Sequence, residues 1–375
     1  MTHSSRRHVP ELDGLRTIAI IAVVLFHVAE AATDGPLRTI GSWGWMGVDL
    51  FFALSGYLIT GILLDGRAKP LGEYARTFYV KRFVRIVPAF AAFMIVLLAA
   101  PTFVGITPDD YRLFVAAQPW YWLFATNILI VAGTWVGTVS ATRPLWSLAV
   151  EEHFYLVWPW IVRWVTTRAL FRVCVVLIVA TPLLRLVLLG VFHASSDAMY
   201  VLTPVRADTI AFGAAVAILV RNAEHRALVR RWALPSMIAG AIVTLVVIAV
   251  ARAAEWSAAP MEVIGFSSVG LLAAGIVAYT ATHSVKWLAA RPIADFGHRY
   301  SYSLYLWHMA AVQFVAARVE ARGARAEIIA AGLGLLPAAL SWHLLEAPAL
   351  RLRHRILTRV ARLGLPDRRL QSRRV

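Results

Sequence analysis

The stretch Glu11-Leu-Asp-Gly-Leu-Arg-Thr-Ile-Ala-Ile-Ile-Ala-Val-Val-Leu-Phe-His-Val-Ala-Glu-Ala-Ala32 decides what kind of protein this is. Between Thr17 and Val28 only His27 interrupts an apolar run, and the whole segment is close to the ~20 residues that cross a bilayer as helix. Ionisable groups inside hydrocarbon cost a few kcal/mol each and usually face a bundle interior or a watery cavity. From Arg16 to His27 is eleven residues, or about 1100° of helix, which leaves the two on one face roughly 16 Å apart. The expectation is a basic group near a mouth and an imidazole deep in the same cavity.

Apolar segments of similar length recur from end to end, at roughly 14–32, 44–64, 83–105, 117–136, 147–165, 169–192, 204–220, 234–252, 261–280, 298–318 and 325–345. The 375 residues are 59% hydrophobic and 15% charged, with a mean hydropathy of +0.67. That balance is far from the roughly 45–50% apolar and 25% charged of soluble domains. The expected fold class is all-α, a polytopic transmembrane helix bundle. Arg6 and Arg7 before an apolar stretch ending Ala29-Glu30-Ala31 superficially suit a cleavable signal, but His27 breaks that stretch and further spans follow. No cleavage is expected.

Loop charge sets the expected topology. Arg67, Lys69, Arg76, Lys81, Arg82 and Arg85 mark an inside loop, and Asp109 and Asp110 suit an outside one. Arg163, Arg168 and Arg172 then call for another inside loop, which requires that 117–136 make no net crossing. That weak segment, with Gln118, Asn127 and Gly133, is expected to be re-entrant or interfacial, leaving about ten spans. Arg221, Arg226, Arg230 and Arg231, then Lys286 and Arg291, fall inside on the same scheme. The expected location is multi-pass in a membrane with both basic termini cytoplasmic. Residues 1–350 form one membrane domain, and 351–375 a basic tail lying on the anionic leaflet. The formal net charge of +16 therefore needs no nucleic-acid partner. Cys174, the single cysteine, reads as a small buried hydrophobe.

Three further segments carry polar residues within spans. Asp49 sits in Gly44-Trp-Met-Gly-Val-Asp-Leu-Phe-Phe-Ala-Leu-Ser-Gly-Tyr-Leu-Ile59, where Gly47 and Gly56 permit close helix packing. Asp49 either orients a polar partner or meets water at the outer interface. In Trp146-Ser-Leu-Ala-Val-Glu-Glu-His153, Ser147 and Glu151 are four apart and share a face. Ser301, Tyr305 and His308 fall at i, i+4 and i+7, a polar stripe that serves either as helix–helix glue or as the wall of a cavity shared with His27. His27 itself is either a satisfied buried imidazole or a functional one. An arginine on the same face of a membrane span favours function.

Together these residues resemble the integral-membrane acyltransferase-3 family. Arg16-x10-His27, the run Gly47 to Tyr57, Lys81-Arg82-Phe-Val-Arg85-Ile-Val-Pro88, Trp146 to Glu151, Arg206-x-Asp208, Ser301 to His308 and Glu346-Ala-Pro348 follow in the family's order over residues 10 to 350. Lys81, where an arginine is common, and His153, where glutamine is, depart from the pattern. Longer members add an esterase-like domain, for which this chain has no room.

The resemblance implies transfer of an acyl group, commonly acetyl, from cytoplasmic acyl-CoA (acetyl-CoA) to a hydroxyl of a glycan, lipid-linked sugar or glycosylated small molecule, with no permanently bound cofactor or metal. Arg16, Arg82 and Arg85 are the candidate donor-binding residues, since guanidinium binds phosphate through paired bonds at fixed charge. His27 is the candidate general base, with Glu151 orienting it and Asp49 as a further candidate catalytic group. Ser147, Ser301, Tyr305 and His308 are the candidate acceptor or cavity residues. An acyl-enzyme on His27 or a serine stays open. The rival from another class is a proton-coupled transporter of a small polar solute, for which no inverted repeat is visible.

Overall fold

The computed structural model describes residues 9–30, 36–133, 139–251, 257–318 and 324–353, and among these there are helices and turns but no strand. Ten long helices carry the architecture: α1 Pro10–Glu30, α2 Met46–Gly66, α3 Leu71–Ala99, α4 Leu145–Trp164, α5 Thr167–Gly190, α6 Ala207–Leu219, α7 Ala223–Ala251, α8 Phe266–Thr282, α9 Arg291–Ala316 and α10 Ala324–Ser341. They coincide with the ten segments expected to span. Among the described residues seven regions, containing α1, α2, α3, α5, α7 and α8 and overlapping α10, are long and apolar enough to cross a membrane by length and composition. The protein is therefore an all-α, multi-pass membrane bundle. Helix α6 has 13 residues, about 20 Å of rise, and helices α4 and α9 carry the polar stripes that line the interior.

Burial sorts centre from rim. The apolar window of α2 is 78% buried, whereas that of α5 is 17% and that of α7 22%, so α2 lies at the middle and the other two present leucine and valine outward. Helix α2 meets α6 at backbone contact. A Cβ on Gly56 would lie 2.1 Å from the Ile210 carbonyl oxygen, and one on Gly213 2.0 Å from that of Ala53. Only glycine admits so close an approach. Gly47 likewise faces the Ala19 carbonyl of α1. Cys174 is buried among core apolar residues.

Segment 117–136 is not one helix. It breaks into Gln118–Trp122 and Thr126–Gly133 around Phe124, whose φ of 52° is left-handed. Eight residues rise about 12 Å, well short of the ~30 Å hydrocarbon core. Asn127 pins the second piece by donating to Thr203 Oγ1 at 3.1 Å and the Val201 carbonyl at 3.3 Å.

The loops after α2, α4 and α6 gather at one end of the bundle. Arg67 donates to the Val165 carbonyl, and Arg221 reaches both Asp65 and the Gly61 carbonyl. The starts of α1 and α9 join them, since His298 lies 3.4 Å from Asp13 and its carbonyl accepts from Arg85 at 3.2 Å. At the opposite end Gln313 donates to the Gly105 carbonyl at 3.2 Å and accepts from the Ala141 backbone at 2.9 Å. Three loops that their charge assigns to one side thus share one end. The expected basic tail beyond Arg353 lies outside the described residues.

Candidate active site

Among the described residues two neighbouring cavities gather most of the candidate polar side chains. The first, about 210 Å³, opens among Arg16 of α1 and Arg82 and Arg85 of α3. Its deeper wall is made by Ser147, Glu151 and Tyr155 of α4 with Ser301, Tyr302 and Tyr305 of α9. Three guanidinium groups lining one cavity have the charge and hydrogen-bond donors to receive a multiply charged anion. Each is held in place: Arg16 by Asp13, Arg82 by stacking 5.5 Å over the Tyr155 ring, and Arg85 by the His298 carbonyl and by Trp342 at 5.7 Å. Glu151 accepts from Tyr155 Oη at 2.8 Å, and Ser55 shares that phenol at 2.7 Å. The expected pairing of Glu151 with His27 is replaced by one with Tyr155, and its charged neighbours are Arg82 and Arg16. Tyr155 is four residues after Glu151 on the same face, so its spacing alone could have identified it.

The second cavity, about 70 Å³, is lined by Val23, Phe26, His27 and Glu30 of α1, by Trp45 and Val48, by Arg143, Pro144 and Trp146, and by Tyr200 and Tyr305. Arg16 and His27 therefore open into different cavities, where a single one was expected. The wall between is Tyr305, which with Val48 lines both. Its hydroxyl donates to the Pro144 carbonyl at 2.9 Å and bonds Ser147 Oγ. Ser301 lines the first cavity with its hydroxyl turned back to the Gly297 carbonyl at 2.6 Å.

His27 and His308 meet, with His308 Nε2 3.2 Å from His27 Nδ1. His308 Nδ1 lies 3.0 Å from the Leu304 carbonyl and 2.9 Å from that of Tyr305, and both can only accept. In the neutral ring Nδ1 therefore carries the proton and Nε2 the lone pair. His27 Nδ1, also 3.0 Å from the Val23 carbonyl, must then be a donor. The lone pair of His27 is left on Nε2. An imidazole whose tautomer is fixed in this way, beside a cavity, is equipped to accept a proton.

Asp49 lines neither cavity. It is fully buried, with Arg206 Nη2 2.6 Å and Thr209 Oγ1 3.2 Å from its Oδ1. Beside it Arg185 Nη2 donates to Asp208 Oδ2 at 2.7 Å, and Ser267 to the same oxygen at 2.6 Å. Arg206 also stacks 4.2 Å from the Phe266 ring centroid. These four buried charges tie α2, α5, α6 and α8 together, and the Arg206-x-Asp208 motif is their hinge. Arg185, alone in an apolar span, carried a signal of its own that an intramembrane arginine always carries.

A family model described as an acyltransferase domain (Acyl_transf_3) matches residues 9–343. Similar proteins include peptidoglycan O-acetyltransferase OatA of Listeria monocytogenes, 29% identical over 323 residues that cover 82% of this chain and 50% of that protein. O-acetyltransferase OatA of Staphylococcus aureus is 26% identical over 333 residues, covering 83% of this chain and 52% of its own. The chain thus spans about half the length of the curated relatives it matches. No solved structure matches it.

Proposed function

As the chain belongs to the membrane acyltransferase-3 family, we propose that it transfers an acyl group, acetyl by its relatives' names, from acyl-CoA to a hydroxyl of a glycan or other glycoside. The observation that carries this reading is a pair of adjoining cavities, one ringed by Arg16, Arg82 and Arg85 and the other lined by His27. The arginines hold the donor's phosphates by bidentate bonds. At about 210 Å³ the first cavity is smaller than the ~300–1,000 Å³ that encloses a whole small ligand. Only the donor's thioester arm enters, and its nucleotide stays at the mouth. Loop charge supports a mouth on the cytoplasmic side, with both termini on that side of a bacterial plasma membrane.

The chemistry is one acyl transfer. His27 Nε2 takes the proton of the acceptor hydroxyl as its oxygen attacks the thioester carbonyl, the new C–O bond forms, and the C–S bond breaks. The departing thiolate takes the proton from the imidazolium, which returns His27 to its starting state. His308 is a positioning residue that keeps the His27 lone pair on Nε2. Glu151 balances the charge of Arg16 and Arg82 and, through Tyr155 and Ser55, fixes the cavity wall. For the thioester to meet His27, Tyr305 must swing from between them.

The test is purified protein in detergent supplied with acetyl-CoA. Thiol release that depends on His27 and on a glycoside acceptor supports the reading. Solute exchange across vesicles without thiol release is the outcome expected of the transporter, and it would overturn the proposal.

A further inference from the structure

The mouth of the second cavity carries two charged groups that the transfer step does not use. Glu30, the last residue of α1, and Arg143, just before α4, lie 3.9 Å apart, with side chains 39% and 44% exposed. Glu30 is about one helical turn from His27 and about 21 Å of helix rise from Arg16, away from the three donor arginines, and Arg143 lines the same cavity beside it. A carboxylate accepts from hydroxyls and a guanidinium donates to them, so the pair offers both halves of what a vicinal diol requires. Inside them Trp45, Trp146 and Tyr200 form an apolar collar around His27. Polar groups fixed at a rim over aromatic rings suit a sugar, which has hydroxyls at its edge and C–H groups on its face.

Resting on the acyltransferase reading above, we propose that Glu30 and Arg143 form the acceptor-recognition subsite, which binds a carbohydrate ring at the mouth while one hydroxyl reaches inward to His27. The volume fits this division. About 70 Å³ takes a hydroxyl-bearing arm, and the ring stays outside against the two charges. The acceptor therefore arrives from the end opposite the donor, and Glu30 and Arg143 set its affinity without touching the donor.

The test uses the full chain in lipid vesicles, radiolabelled acetyl-CoA as donor and solubilised peptidoglycan glycan strands as acceptor. Glu30→Gln and Arg143→Ala should each raise the apparent KM for glycan about tenfold or more, as expected for a lost charge-assisted bond. Acetyl-CoA affinity and the melting temperature should stay at the wild-type values. Should Arg143→Ala fail to fold, Arg143→Lys decides, and it should still weaken glycan binding because lysine lacks the fork. Unchanged glycan KM in Glu30→Gln and in whichever Arg143 variant folds would overturn the subsite, as would a loss of acetyl-CoA affinity. If the wild-type protein transfers acetyl to no glycoside, glycan strands included, the reading beneath it falls and takes this inference with it. Wild-type transfer that the variants match refutes the subsite alone.

Discussion

His308 Nε2 faces His27 Nδ1 at 3.2 Å, 281 residues away along the chain. Because two carbonyls claim the other nitrogen of His308, its Nε2 can only accept, and His27 is held as the tautomer with a bare Nε2. His27→Ala should insert and bind acyl-CoA yet lose turnover about 10²–10⁴-fold. His308→Leu should lower kcat about tenfold or more with the donor KM unchanged, since catalysis suffers when the base rests in the wrong tautomer. His308→Gln, which can accept at Oε1 and donate at Nε2, should recover part of that loss. Steady-state kinetics on the three variants check this. Full activity in His308→Leu would leave His27 to orient itself.

The donor mouth gives a second expectation. Arg82→Ala and Arg85→Ala should raise the acyl-CoA KM with kcat altered less, because phosphates distant from the thioester contribute binding that is equal in ground and transition states. Arg→Lys should restore only part, as a point charge replaces a bidentate fork. Titration of acyl-CoA against each variant measures it, and an effect confined to the acceptor would move these arginines out of the donor site.

How much of this could be read from the chain alone depends on distance. The helices were legible because bilayer length and apolar runs set their places, and loop charge singled out 117–136 as a segment without a net crossing, which the structure builds from two short helices. Shared faces were legible too, as for Ser147 with Glu151 and Ser301 with Tyr305. Helical periodicity says which residues share a face but not what that face meets. Asp49 finds Arg206 across 157 residues, and Glu30 finds Arg143 across the first loops, with no local pattern to announce either pair. The same limit hid the wall: Arg16 and His27 do lie on one helix, but Tyr305, brought in by α9, divides the space before them.

That wall makes a third prediction. Tyr305→Ala should join the two cavities and admit water to the thioester, so that acyl-CoA is hydrolysed more often per acyl group delivered. The ratio of thiol released to ester formed reports it, and should rise severalfold. Tyr305→Phe keeps the ring but loses the bonds to Ser147 and the Pro144 carbonyl, and should lie between Ala and wild type. An unchanged ratio in Tyr305→Ala would mean that the divide is made elsewhere.

Asp49 supplies the last and sharpest case, because two roles for it predict opposite measurements. As a catalytic group it would tolerate neutral replacement structurally and lose turnover. As the buried partner of Arg206 it should do the reverse, since removing one member of a buried ion pair strands the other at a cost of about 3–5 kcal/mol. Arg206 has little alternative, being wholly buried and stacked over Phe266, with Nε and Nη1 already lacking hydrogen-bond partners among the described residues. Asp49→Ala and Arg206→Ala should therefore each lower the melting temperature in detergent markedly or abolish monodisperse protein. The double replacement Asp49→Leu with Arg206→Met removes both charges at once and should recover folded protein that binds acyl-CoA, because an apolar pair of similar volume carries no stranded charge. Asp49→Asn that melts like the wild type, binds acyl-CoA normally and is nonetheless inactive would return Asp49 to the catalytic machinery.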